Sequence, residues 1–176
     1  MSVFFDTYTV DVANQTIIEP VTEDMVKNDL KVEESYDANV ATIGYYITVA
    51  RTMIEDYIHN IVSPRKFVTI STGIVSSVPL KTPVISITSV KVTDYDDVVT
   101  VLEDSEYVLI HSLGICKLVN YSDNIKKIEV EYTSGMNNIS YSIQQSCLKV
   151  IRALYSNTQV DMSSMRELDA YMRFNI

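Results

Sequence analysis

Two histidines, two cysteines and 23 carboxylates are the first groups of this 176-residue chain to test for acid–base, nucleophilic or metal chemistry. His59 and His111 lie on different predicted elements, and neither has a Cys, His or Asp at the spacing that makes a metal site specific. Cys116 and Cys147 sit in no motif that would lower a thiol pKa, and they read as free buried thiols. No Gly-x-Ser-x-Gly elbow is present, and four glycines leave no room for a phosphate-cradling loop. The run Asp94-Tyr95-Asp96-Asp97 invites a calcium reading. It lacks a central glycine, however, and Ser105 stands where the bidentate acid would be needed. The run reads better as a hairpin turn, with Glu103, Asp104 and Glu106 forming the turn before the next strand. Together the two turns could hold a weak cation only if folding brought them together. No enzyme, cofactor or metal is expected, which shifts weight towards binding and assembly.

Charge narrows the partners. The formal net charge is −9, and it is uneven. Residues 1–60 hold 11 acids against three bases, a net of −8, while the remainder holds 12 acids against 11 bases, a net of −1. Such a balance repels phosphate backbones and anionic membranes. A nucleic-acid-binding module would have to gather Arg65, Lys66, Lys126 and Lys127 on one face. No uninterrupted apolar run approaches the roughly 20 residues that span a bilayer. The first ten residues lack a basic stretch followed by an apolar one, so no cleaved secretion signal and a reducing compartment are expected.

The elements that must position these groups follow from period and punctuation. Residues 1–21 read as an extended arm, with residues 3–18 an arm or an edge strand, and Thr22 as the N-cap of a short helix from Glu23 to about Leu30 with Glu23 and Asp24 in its first turn. From Ala38 to about His59, Val40, Ile43, Ile47, Ala50, Ile54, Tyr57 and Ile61 recur at alternating spacings of three and four, the seam of a packed helix that Pro64 ends. Beside that seam run Tyr46, Val49 and Met53, which widen the apolar arc enough for a second contact. Residues 65–135 break into short alternating β-branched runs, a small antiparallel sheet. Tyr141–Ser156 returns to helical spacing, and Met165, Leu168 and Met172 share one side of a short terminal helix.

The order of these motifs resembles a known family. Ile18-Glu19-Pro20-Val21-Thr22 opens a short helix that ends near Leu30-Lys31-Val32, and the long helix closes with Ala50, Arg51, Glu55 and Tyr57. There follow Pro83-Val84-Ile85-Ser86-Ile87-Thr88-Ser89-Val90, then Glu106-Tyr107-Val108, a strand ending Glu131-Tyr132-Thr133-Ser134-Gly135, and a closing Leu168, Tyr171 and Arg173. This pattern, over about residues 18–174, is similar to the head-tail connector proteins of tailed bacteriophages, in the branch with a β-rich insertion.

The resemblance implies a non-enzymatic adaptor of the virion neck, assembled in the host bacterial cytoplasm. Such an adaptor forms a ring of its own copies, commonly a dodecamer, beneath the portal protein, extends the DNA channel and docks a neck or tail completion protein. DNA passes through without specific binding, and no membrane is involved. The expected fold is α+β: one domain over residues 1–176, whose helical-bundle core of two N-terminal helices (within 22–62) and C-terminal helices (139–157 and beyond) carries a small antiparallel β insertion at 63–135. Residues 158–176 are expected to be a docking segment. Partner contacts are assigned to Leu168, Tyr171, Met172, Arg173, Tyr46, Val49 and Met53, and channel-facing positions to Glu33, Glu34 and Asp37. The alternatives are a small acidic protein-interaction domain and a metal-dependent enzyme without a recognisable active site.

Overall fold

The computed structural model describes residues 6–32, 40–73, 76–119, 124–161 and 165–172. In chain order the elements are β1 (Asp6–Asp11), α1 (Glu23–Leu30), α2 (Val40–Ile58), β2 (Arg65–Thr72), β3 (Ser77–Pro79), β4 (Val84–Asp94), β5 (Val99–Val101), β6 (Tyr107–Ile110), β7 (Ile115–Leu118), β8 (Ile125–Ser134), α3 (Tyr141–Tyr155) and a terminal 3-10 helix (Arg166–Tyr171). The chain divides into two compact units, one of residues 1–16 and 64–135, the other of residues 17–63 and 136–176.

The first unit overturns the expected helical-bundle core with a small β insertion. Among the described residues its eight strands form two antiparallel sheets, one ordered β1-β2-β8-β4-β5 and the other β3-β7-β6. β4 and β8 run for 11 and 10 residues, and the sheet carries its own buried set, with Phe67, Val90, Ile128, Val130 and Tyr132 at 1% exposure or less. The Phe67 and Tyr132 rings stack at 5.7 Å, and the buried phenol is satisfied by Thr69 at 3.0 Å and by the Lys81 N–H at 2.8 Å. The fold is therefore β-rich, and its helices belong to the other unit.

Of the two readings of the N-terminal stretch, arm or edge strand, Asp6–Asp11 takes the second. Asp6–Asp11 pairs antiparallel with β2, from Asp6 opposite Thr72 to Asp11 opposite Phe67. Thr7 and Thr9 share the side that hydrogen-bonds Ser71 and Thr69, Thr9 partly buried and Thr7 exposed, while Tyr8 and Val10 stay exposed on the other. At the far end of β8, Gly135 has φ 145°, a backbone state that a side chain would strain, and its N–H donates to Pro83 O at 2.9 Å.

In the second unit the caps explain where the helices begin and end. Thr22 Oγ1 accepts from Met25 N and Ser140 Oγ from Ile143 N, each satisfying a first-turn donor. Lys31, at φ 55°, closes α1 by donating its N–H to Lys27 O. α1, α2, α3 and the 3-10 helix bury one apolar cluster that includes Val26, Ile43, Ile47, Ile54, Ile143, Ile151 and Leu168. Among the described residues no helix is long and apolar enough to cross a membrane.

Candidate functional site

The residues that carried the family resemblance meet in a buried ion network. α2 places Arg51 and Glu55 one turn apart on the same face as the seam residues Ala50 and Ile54, so both charges go inward, at 6% and 7% exposure. Arg51 Nη1 donates to Glu55 Oε2 at 3.0 Å, and its Nε donates to Glu19 Oε2 at 2.9 Å. Thr48 donates to the other oxygen of Glu19 at 3.2 Å. Glu55 Oε1 accepts the N–H groups of Val62 and Ser63 at 2.9 and 3.3 Å. One guanidinium thus ties the stretch before α1 to α2, and one carboxylate ties α2 to the turn that follows it. The fork geometry of arginine suits that double engagement, and the arrangement holds chain segments in place. The i, i+4 spacing of Arg51 and Glu55 is visible in the sequence; Glu19, 32 residues earlier, has no local signal.

The expected partner residues divide by accessibility. Tyr46, Val49 and Met53 are partly buried on α2, with Tyr46 and Met53 packed against the apolar cluster, while the neighbouring Tyr45 is 64% exposed. Leu168 has no exposed surface and is a core residue of its own unit. Tyr171 and Met172 are half-buried against the same cluster. The segment is further anchored by Tyr57 donating to Asp169 Oδ1 at 3.0 Å, Asn60 donating to Tyr171 O at 2.7 Å, Tyr171 donating to Ser140 Oγ at 2.7 Å, and the Lys149–Glu167 ion pair. Leu168 therefore has no surface to offer in this arrangement, while Tyr171 and Met172 keep part of theirs. Arg173, and the acidic positions Glu33, Glu34 and Asp37, lie outside the described residues.

The acidic turns hold themselves together. Asp94 Oδ1 accepts from Asp96 N at 3.0 Å and Val98 N at 2.9 Å, Glu106 Oε2 accepts from Glu103 N at 2.8 Å, and Tyr107 donates to Asp104 Oδ1 at 2.7 Å. That last bond is the main cause of the Tyr107 phenol being pushed up to about 12. Among the described residues no group of three or more His, Cys, Asp and Glu is placed to hold a metal ion. Of the four basic candidates, Arg65 pairs with Asp11 at 3.2 Å, Lys126 with Asp97 at 2.6 Å and Lys127 with Glu129 at 3.5 Å, while Lys66 is exposed on β2.

Both cysteines are free and buried, and burial pushes the Cys116 thiol up to about 11 and the Cys147 thiol up to about 12. Since the thiolate is the reactive form, neither thiol should react with a disulfide reagent at pH 8 in the native chain, and both should titrate in denaturant. Rapid native reaction of either one would contradict its placement.

No protein-family model matches the chain, and no curated protein sequence matches it. Among solved structures, a chain described as "Neck of empty GTA particle computed with C6 symmetry" is similar, at TM-score 0.67 and 15% identity, with 96% of this chain and 97% of that chain covered. At that identity the likeness is one of fold, and it extends across both units.

Proposed function

We propose that the chain is a structural component of the neck of a tailed-phage-like particle. The supporting observation is the end-to-end fold likeness to a neck chain of a GTA, a phage-like gene transfer agent. The motif order over residues 18–174, which resembles that of head-tail connector proteins, supports the same reading. In the finer reading the chain is a virion adaptor that assembles in the host cytoplasm as a ring beneath the portal protein, extends the DNA channel and presents a docking surface to the next neck or tail protein. The C6 symmetry of the neighbour's particle fits a ring of six copies, and a dodecamer also contains that symmetry. The role is non-enzymatic and needs no cofactor. Gold-labelled chain in purified particles is expected to mark the head–tail junction by electron microscopy. Label on the capsid shell or tail tip, or particles that lack the chain altogether, would refute the reading.

The channel role is proposed for Glu33, Glu34 and Asp37. A duplex carries one negative charge per ~1.7 Å of axis, so acids repeated around a ring would repel it from every side and leave no sticking point. Changing all three to lysine is expected to slow or trap DNA ejection. Wild-type ejection kinetics in particles shown to contain the variant would exclude these residues from the channel.

A further inference from the structure

We propose that the open edge of β5 receives an extended segment of a partner protein in which apolar and basic residues alternate. β5 ends the five-stranded sheet. On its β4 side, Leu102 N–H donates to Val90 O at 2.9 Å and Val98 O accepts from Asp94 N at 3.1 Å. Strand alternation then turns the N–H and C=O groups of Val99 and Val101 away from β4, towards the vacant edge. Val98, Val99 and Val101 are 57, 59 and 60% exposed, an unusual run of valines to leave in water on an edge strand. Among the described residues the three of β5 include no lysine and no proline and pair with β4 without a bulge, so this short edge presents the outward backbone groups of Val99 and Val101.

The two faces of β5 differ, and that difference defines the partner. Val99 and Val101 share one face, which an apolar residue of an added strand would cover. On the other face Thr100 borders a cavity of about 250 Å³ floored by Val92, Leu102, Leu118 and Ile125, with Asp94 and Glu106 at its rim. An apolar floor beneath two carboxylates suits a lysine or arginine, whose stem lies on the floor and whose charged head meets the rim. Folding thus brings the two acidic turns to one cavity. Both carboxylates are already fixed by backbone N–H groups, so they are presented without further ordering.

Charge chooses between occupants. Residues 94–106 contain six acids and no base. Joining β5 of one copy to β5 of another would set these acids beside their own copies in a chain that is already at −9, so a basic partner fits and a second copy does not. This inference goes beyond the neck reading and does not depend on it, because the test below uses the isolated chain.

The probe is an acetylated, amidated peptide of sequence Thr-Val-Lys-Val-Arg-Val-Lys-Thr. It is titrated calorimetrically into the full chain beside the reordered peptide Thr-Val-Val-Val-Lys-Arg-Lys-Thr. Saturable binding of the alternating peptide is expected, at least about tenfold tighter than that of the reordered one. Val101→Pro removes an N–H from the open edge while leaving the β4 side intact, and should abolish binding. The double variant Asp94→Asn with Glu106→Gln keeps an acceptor oxygen for each turn but removes the charge, and should weaken binding about tenfold. If Val101→Pro lowers the melting temperature, the isosteric double variant decides alone. Equal binding of the two peptides, no saturable binding, or unchanged affinity in the double variant would each overturn the proposal. Concentration-dependent self-association that Val101→Pro removes would also overturn it, in favour of a second copy.

Discussion

Replacing Arg51 with alanine is expected to destabilise the helical unit by about 3–5 kcal/mol, the range for removing one partner of a buried ion pair. The reason lies in what remains. Glu55 would stay buried at 7% exposure, still holding Val62 and Ser63 N–H but without its counter-charge, and Glu19 would lose the bond that ties its stretch to α2. Glu55→Gln should cost less, because an amide oxygen can still accept from Val62 and Ser63 while Arg51 keeps Glu19. Thermal melts of the three proteins check the order, with Arg51→Ala lowest. A melting temperature for Arg51→Ala within a degree or two of wild type would mean that the network is solvated rather than buried.

Leu168→Ala is expected to cost about 2–5 kcal/mol, the range for truncating a fully enclosed leucine where neighbours cannot close the gap. At roughly 2–4 °C per kcal/mol for a chain of this size, the loss should appear as a clear drop in melting temperature. Leu168 has no exposed surface, and the 3-10 helix that carries it packs on α2 and α3. The experiment also separates two roles for the terminal segment. If Leu168→Ala melts as wild type but no longer joins the portal, the residue faces a partner; if it melts low, it belongs to its own core.

Strong periods in the sequence translated directly into elements. The spacing of three and four through Ile43, Ile47, Ala50 and Ile54 marks α2, expected over Ala38 to about His59 and found at Val40–Ile58. Six alternating β-branched runs correspond to β2, β4, β5, β6, β7 and β8. β1 carries a weak signal because the side that bonds Ser71 and Thr69 is made of Thr7 and Thr9, while its larger apolar residues Tyr8 and Val10 face water. β3 is three residues ending in Pro79, too short for any period. The extent of the sheet has no local signature for a related reason: pairing between distant strands, such as Thr9 with Thr69, decides how much sheet exists, and local pattern carries no trace of it. At the candidate site, Arg51 and Glu55 were noticed as a motif, yet their job became visible only when Glu19 and the Val62–Ser63 turn were placed beside them.

The register of β2 with β8 bears on how the chain reaches its folded state. Arg65, at the start of one, lies opposite Ser134, at the end of the other. Once the sheet has formed, an excursion of some 70 residues is cinched to a single interstrand gap of about 5 Å. α2 leads into that gap and α3 leads out of it, so the two helices then find each other across an effectively short connection. Closing a flexible loop of that length would otherwise cost roughly 3 kcal/mol more than closing one of a few residues. The β2–β8 pairing thus shortens the chain path between two halves of the helical unit that are far apart in sequence.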